Sequence, residues 1–460
     1  MKILLVQPAS PFGAIAGDDW FLFEPLALEY LAAAVPDDEV RILDLRLDGD
    51  LCDTLETFQP DLVGATAYTV HVNTVKHLCE TVKQWNADAV TVVGGHHATV
   101  APDDFADPAV DLTVVGEGVV PFREIVSRLK QRAGLEGIPG VAVSGSNSFI
   151  PLEDSVAADI DALPQPARRL TAAYRSQYFC DWMRPLASIR TSKGCPYRCK
   201  FCALWKLTCG KYIKREPRNV VDELGAIEEE NVFFADDESL LDSRRMQDLA
   251  GLIREAGIEK RYFLYGRSDT IARNPDLLRA WKEIGLTRVF VGLEFFRDED
   301  LEYVGKGSKL SDNEKAVGIL QDLEIDIYAS MILRPDFEKQ HFKELRRYCR
   351  ALRLDYPTFA VLTPLPGTDL YDEVKHDLIT DNYDYFDFIH TLLPTRLPLK
   401  QFYKNYAWLI NTVLPPGKKI SFLRRFPVKE LGSILGRSIR VQRRVRNAWK
   451  DYEASAGDLH

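Results

Sequence analysis

The sequence predicts two α/β units with parallel sheets, set in series and followed by a basic helical tail. Apolar runs alternate with helical patterns from residue 1 to about residue 132. The alternation breaks in a Gly/Pro/Ser-rich stretch and resumes from 187 to 363. Residues 400–460 then reverse the charge balance of everything before them.

In the first unit the expected strands are 2–6, 40–45, 62–66, 90–93 and 112–115, and the expected helices 25–35, 52–58, 72–85 and 121–132. Consecutive βα units demand a parallel sheet with right-handed crossovers, which puts a ligand at the carboxyl ends of the strands. Those ends read Gln7-Pro8-Ala9, Thr66-Ala67-Tyr68-Thr69, Gly94-Gly95-His96-His97 and Gly116-Glu117-Gly118, small or polar loops that let a ligand approach backbone. None carries the G-x-G-x-x-G phosphate fingerprint, so a nicotinamide cofactor is not expected. The opening MKILLVQP has neither a long apolar region nor a small-residue cleavage site, and reads as the first core strand of a cytosolic protein.

Residues 134–185 carry Gly134, Gly137, Pro139, Gly140, the run Ser144-Gly145-Ser146-Asn147-Ser148, Pro151, Pro164 and Pro166, the composition of a linker with a small hairpin. The second unit has expected strands at 187–191, 232–235, 262–265, 288–292, 325–332 and 358–363, with helices at 220–229, 243–256, 276–284, 312–323 and 340–353. Such a series makes a curved parallel sheet, either a partial barrel or a second doubly wound sheet. The resulting boundaries are 1–135, a linker at 136–185, 186–395, and a tail at 396–460.

A chain of 460 residues can bury the cores of roughly two to four domains, and 8 cysteines in that length exclude a disulfide-stapled module. No apolar run approaches the ~20 residues that span a bilayer. The formal net charge of −10 divides into 13 Lys/Arg against 4 Asp/Glu in residues 400–460, and 45 against 64 in residues 1–399. From Ser438 onward Val441, Val445, Ala448, Trp449 and Tyr452 recur at helical spacing among Arg440, Arg443, Arg444, Arg446 and Lys450, with Phe422-Leu423-Arg424-Arg425-Phe426 just upstream. A helix of this kind suits either an anionic membrane surface or the acidic body of the same chain.

The chemistry concentrates in Gly194-Cys195-Pro196-Tyr197-Arg198-Cys199-Lys200-Phe201-Cys202, just after the first strand of the second unit. In a reducing compartment such a cluster points to metal before disulfide. Three thiolates on one loop can hold an iron–sulfur centre and leave one iron open to a ligand. The alternative is a zinc knuckle completed by Cys209, although closed zinc sites favour paired cysteines over a triplet with a straggler.

The C-x3-C-x2-C spacing, with the aromatic Phe201 before the last Cys, resembles the signature of the radical S-adenosylmethionine superfamily. The resemblance implies a (β/α)6 partial TIM barrel. It also implies that Cys195, Cys199 and Cys202 bind a [4Fe–4S] cluster whose open iron chelates S-adenosyl-L-methionine, cleaved to a 5′-deoxyadenosyl radical. Where the family often has Gly-Gly-Glu, this chain has Ala235-Asp236-Asp237-Glu238, so the resemblance makes Asp236 or Asp237 the carboxylate for the methionine ammonium. Arg267, ending the third strand, is expected to pair the methionine carboxylate, and Gly292 and Glu294, ending the fourth, to contact the cofactor.

A flavodoxin-like (Rossmann-type) domain ahead of such a core resembles the cobalamin-binding branch of this superfamily. Val93-Gly94-Gly95-His96-His97-Ala98-Thr99 and Val114-Val115-Gly116-Glu117-Gly118 are similar to its recurring motifs, and the likeness covers roughly residues 1–395. Thr66, Tyr68, Thr69, Gly94, Gly95, His96, Gly116 and Glu117 are therefore expected at the cobalamin. The first strand end lacks the D-x-H-x-x-G histidine, so cobalt ligation by that route is excluded; His71, in the loop after the Thr66-Ala67-Tyr68-Thr69 strand end, is either a cobalt ligand or, as the favoured reading, a loop residue beside the pocket. Cys180 and Cys209, which flank the cysteine loop in sequence, are read as buried thiols, the alternative being a proton donor or radical quencher. Tyr383, Tyr385, Phe386, Phe388 and His390 either line a pocket or pack in the core.

The resemblance implies a cobalamin-dependent radical S-adenosylmethionine methyltransferase that methylates an unactivated carbon of a large, apolar substrate through methylcobalamin and the adenosyl radical. Within the family it leans towards a polycyclic lipid, as in the hopanoid C-3 methylases. An oxidative cyclase acting on a tetrapyrrole is the first alternative, and a non-catalytic cobalamin and iron–sulfur sensor the second. The expected partners are the substrate and a reductant such as flavodoxin or ferredoxin, with no nucleic acid. Cytoplasmic placement, with peripheral membrane contact through the tail, completes the expectation.

Overall fold

The computed structural model describes residues 1–15, 20–47, 49–146, 149–151 and 159–457; Asn147 and Ser148 of the linker run lie outside them. The strands, in chain order, are β1 (Lys2–Gln7), β2 (Phe21–Leu22), β3 (Glu39–Asp44), β4 (Leu62–Thr66), β5 (Val90–Gly94), β6 (Leu112–Val114), β7 (Val141–Val143), β8 (Phe179–Cys180), β9 (Leu186–Ile189), β10 (Ser192–Lys193), β11 (Ile213–Lys214), β12 (Asn231–Phe234), β13 (Arg261–Arg267), β14 (Leu286–Glu294), β15 (Asp326–Leu333) and β16 (Tyr356–Val361).

The first sheet has the order β3-β1-β4-β5-β6-β7 and is parallel from β3 to β6. The chain moves from β1 outward to β3 and returns to the other side of β1 at β4, so the topological switch lies between β1 and β4, where a doubly wound sheet binds its ligand. Its core residues Ile3, Leu4, Leu5 and Val6 are fully buried, as strands covered by helices on both faces require. The expected linker contributes more than a connection. β7 pairs antiparallel with β6 and covers that edge of the parallel sheet. Three residues carry too little pattern for a sequence reading to separate a strand from a turn.

The second sheet runs β16-β15-β14-β13-β12-β9, every neighbour parallel, which is the partial barrel rather than a doubly wound sheet. Alternate residues divide its two faces. Val232, Phe234, Tyr262, Leu264, Val289 and Val291 pack outward under the helices, in the largest core. Phe233, Phe263, Tyr265, Phe290 and Tyr328 form a separate inner cluster. At the start of the strands, Trp182 before β9 meets Tyr356 of β16 at 5.1 Å between ring centroids, and Phe422 and Phe426 pack on Trp182.

Ion pairs stitch the two units together. Arg168 donates to Glu24 at 2.7 Å and to Glu223 at 2.7 Å, and Arg175 pairs with Glu24 and with Glu229. Burial, then the Glu24 charge, pushes the Glu29 carboxyl in this network up to about 8.

The tail folds back on the barrel through the helices Leu399–Val413, Pro416–Leu423 and Leu431–Asn447. Val445 and Ala448 are fully buried, and Val441, Trp449 and Tyr452 pack against the same core. The stripe that could have faced a membrane is turned inward. Tyr385, Phe386 and His390 are buried as well, so that stretch packs rather than lining a pocket, although Phe388 is half-exposed. Among the described residues, no helix is long and apolar enough to cross a membrane.

Candidate active site

The cysteine loop leaves β10 through Gly194, whose φ is +89°; a Cβ there would fall 2.1 Å from the Lys211 carbonyl oxygen. Only glycine admits that turn. Two carboxylates anchor the approach to it. Asp236 accepts the Thr191 N–H and hydroxyl at 2.7 Å each and the Ser192 N–H at 2.8 Å, while Asp237 accepts the Gly194 N–H at 2.6 Å. Both aspartates therefore shape the loop, and Asp236 has its two oxygens committed to it.

Cys199 is buried and Cys195 and Cys202 half-buried, all three as free thiols. Burial pushes Cys195 up to about 11 and Cys202 up to about 12, so both stay protonated until a metal displaces the proton. Phe201 packs with Phe295, Leu301 and Val304 and pins the end of the loop. Cys209 is exposed, against the buried thiol expected of it, whereas Cys180 is buried as expected; among the described residues no three His, Cys, Asp or Glu side chains converge on a single-ion position. A four-iron cube takes thiolates at separate corners, so three soft donors on one loop suit it better than a closed zinc site.

Arg267 is held on every side. Its Nε donates to Asp269 at 2.9 Å, Nη2 to the Lys306 carbonyl at 2.5 Å and Nη1 to the Cys199 sulfur at 3.8 Å, with its face 3.6 Å from the Tyr197 centroid. The expected fork towards a methionine carboxylate is spent on these partners. Glu294 has φ +62° where the β14–β15 register shifts, and it accepts from Lys306 Nζ at 2.7 Å. Gly292 makes room for that pair: a Cβ there would stand 2.4 Å from Glu294 Oε1 and 2.9 Å from Lys306 Nζ.

The rim also collects polar atoms without partners. Glu238 Oε1, Ser239 Oγ, Ser268 Oγ, Thr270 Oγ1 and Ser308 Oγ are buried and make no hydrogen bond. Such orphans at the strand ends suit a polar ligand that supplies their missing partners. Burial pushes Glu238 up to about 8, against the pull of Arg267 and Lys306. Glu238 and Lys306 are functional candidates that sequence reasoning passed over; the Gly305-Lys306-Gly307 turn was the available signal.

The second site lies between the units. A cavity of about 170 Å³ is lined by Thr66, Tyr68, Gly94, Gly95, His96 and Gly116 from the first sheet, and by Arg190 and Lys193 from the barrel. Its inner end is apolar, with Leu28, Leu31, Val92, Val114 and Phe122. Gly95 has φ +104°, and a Cβ there would lie 2.6 Å from Thr66 Oγ1 and 2.9 Å from Ala67 N. A Cβ on Gly116 would meet nothing within 4 Å and would stand in open space. These glycines leave backbone exposed to a bulky ligand, and the apolar inner end suits an aromatic base, so the residues present fit a corrinoid with an inserted tail.

Lys193 bridges the units to Glu117 at 2.8 Å, and Arg190 stands 4.0 Å from the same carboxylate. Arg190 and Lys193 went unremarked in the sequence, because their partners sit in the other unit. Burial, then the charges of Arg190 and Lys193, brings His96 down to about 4, so its ring is neutral in the cavity. The Tyr68 ring meets it edge-on at 4.8 Å. Thr69 turns away, 3.1 Å from His97 Nδ1, and is absent from the cavity lining. His71 is buried against the Tyr68 N–H and is also held neutral, near 4, by burial.

Two family descriptions match the chain in order: the B12 binding domain over residues 18–126 and the radical SAM superfamily over residues 189–349. The chain is 30% identical over 412 residues to the hopanoid C-3 methylase of Methylococcus capsulatus, covering 88% of this chain and 78% of that one. It is 26% identical over 352 residues to the anaerobic magnesium-protoporphyrin IX monomethyl ester cyclase of Rubrivivax gelatinosus, covering 74% and 63%. Among solved structures, the radical S-adenosylmethionine methyltransferase TsrM from Kitasatospora setae, with cobalamin and a [4Fe-4S] cluster bound, matches with a TM-score of 0.70 at 20% identity, covering 97% of this chain and 99% of that one. That likeness is one of fold.

Proposed function

The chain belongs to the cobalamin-binding radical S-adenosylmethionine family as a methyltransferase, and we propose that it methylates an unactivated carbon of a large, apolar polycycle of the hopanoid type. Its cofactors are a [4Fe–4S] cluster, S-adenosylmethionine and cobalamin. When bound, they supply one-electron cleavage of a C–S bond and methyl delivery to carbon.

The observation that carries the substrate reading is the inner wall of the barrel. Tyr265 and Phe290 lie 4.8 Å apart between centroids and Phe290 and Tyr328 5.5 Å, all three only half-buried, on successive strands facing the interior. Flat aromatic surface with few polar partners favours an apolar ring system over a peptide or sugar. The similarity to a hopanoid methylase over most of the chain supports the same reading.

In this reading Cys195, Cys199 and Cys202 hold the cluster. Glu238, the buried carboxylate with an unpartnered oxygen, receives the methionine ammonium, and the Lys306–Glu294 pair faces the rest of the amino-acid end. Gly94, Gly95 and Gly116 give backbone access to the corrinoid, and Arg190, Lys193 and Glu117 keep the two units in register across it. An external one-electron reductant such as a flavodoxin or ferredoxin completes the system, and an apolar substrate is met at a bilayer surface through the C-terminal helices.

The test is anaerobic reconstitution followed by product analysis with a hopanoid and with magnesium-protoporphyrin monomethyl ester. The expected result is 5′-deoxyadenosine and S-adenosylhomocysteine in equal yield, with the hopanoid heavier by one methylene. Deoxyadenosine without S-adenosylhomocysteine, together with a cyclised tetrapyrrole, would replace methyl transfer by oxidative cyclisation. A colourless protein holding zinc would overturn both.

A further inference from the structure

Folding the tail inward exposes a different surface. On the helices Pro416–Leu423 and Leu431–Asn447 and the turn between them, Ile420 is 53% exposed, Val428 85%, Leu435 46% and Ile439 65%. Leu435 and Ile439, four residues apart, stand one above the other on one helix face. Exposed Lys419, Arg424, Arg440, Arg443 and Arg446 surround them. Residues 415–450 contain 11 Lys/Arg and a single acid, Glu430.

We propose that this outward face, carrying Ile420, Val428, Leu435 and Ile439 within a basic field, docks the protein on an anionic lipid bilayer. The chemistry is that of an interfacial helix: aliphatic side chains enter the headgroup boundary while arginines and lysines meet lipid phosphates. The opposite side is occupied, with Phe422 of the first helix packed on Trp182, Phe426 of the turn buried, and Ile434 and Val445 of the second helix buried, so the exposed set is not core awaiting closure. A basic surface alone would equally suit an acidic electron-transfer protein. Two observations favour the bilayer: the aliphatic side chains among the charges, and the position of the face.

That position is the end of the barrel where strands begin. Lys418 pairs with Asp355, just before β16, and Arg425 with Asp326, the first residue of β15. The cysteine loop lies past the opposite ends, and β15, with 8 residues, spans about 26 Å. An electron donor bound here would be remote from the cluster it must reduce.

The docking rests on the proposed apolar substrate only for its purpose, so the test omits the substrate. The full-length protein is floated with phosphatidylglycerol-containing vesicles and with pure phosphatidylcholine vesicles, both free of hopanoid. Flotation with the anionic vesicles alone is expected, weakening with salt and falling at least about tenfold in a Leu435→Glu/Ile439→Glu double variant that keeps its cofactor content. An Arg440→Gln/Arg443→Gln variant, which leaves the aliphatic side chains in place, should lose the anionic preference; it reads the same face should the first variant fold poorly. Absence of flotation, equal binding to both vesicle types, or unaltered binding by both variants would overturn the proposal, as would capture of an acidic flavodoxin by the same residues without vesicle binding. A tetrapyrrole product from a protein that still floats would sink the substrate reading and leave the docking intact.

Discussion

The Arg267 guanidinium directs Nη1 at the Cys199 sulfur across 3.8 Å, while its flat face lies 3.6 Å from the Tyr197 centroid. A cation beside a cluster thiolate stabilises the reduced, more negative state. Replacing Arg267 by Gln is expected to leave iron content near normal and to lower the cluster midpoint potential by ~60 mV, about 1.4 kcal/mol for a one-electron couple. A redox titration followed by electron paramagnetic resonance checks it; an unchanged potential at equal iron content would refute it.

Gly292 lies against the buried Glu294–Lys306 pair, and any added Cβ must displace one of its charges. Gly292→Ala is expected to weaken S-adenosylmethionine binding by about tenfold or more, the cost of disturbing one buried charge pair. Equilibrium dialysis with the cluster-loaded protein measures it.

Gly95 and Gly116 both have positive φ, but only at Gly95 would a side chain strike backbone and Thr66. Gly95→Ala should destabilise the first domain by about 2 kcal/mol or more, whereas Gly116→Ala should cost only the left-handed strain, about 1 kcal/mol, yet put its methyl group into the open space beside the cavity. Denaturant melts separate the two, and visible absorbance of bound corrinoid should be reduced in each.

His390 joins the tail to the barrel, with Nδ1 2.9 Å from Asp387 and Nε2 3.0 Å from Asp451. Burial opposes its protonation, but the hydrogen bonds and charges of the two aspartates outweigh it and raise the imidazole to about 9. The ionic contribution is therefore complete below about pH 6.5 and is lost as pH rises through about 9. Thermal melts of the wild type should fall by a few °C over that window, and His390→Gln should flatten the difference.

Much of this was legible in the chain itself, because it depends on local order. Strand and helix alternation is a period, and β1, β4 and β12 appear within a residue of where it places them. The C-x3-C-x2-C loop is a spacing, and Gly94-Gly95 is a backbone requirement that any reader of strand ends can see. Short elements such as β2, β7 and β8 were not legible, because pairing with distant partners makes them strands.

The roles of individual side chains were decided in three dimensions. Asp236 and Arg267 read as ligands in the chain, yet the fold commits them to Thr191, Ser192 and Asp269, while Glu238 is left buried with an open oxygen. The tail's helical stripe was visible, but whether it faced lipid or protein depended on the helix Leu399–Val413, against which the chain packs it by turning back. Sequence by itself settled which chemistry this protein carries, since cofactor-binding loops are contiguous. Tertiary structure decided which carboxylate, which cation and which helix face are free to act, because a side chain's availability is set by neighbours the chain reaches only after folding.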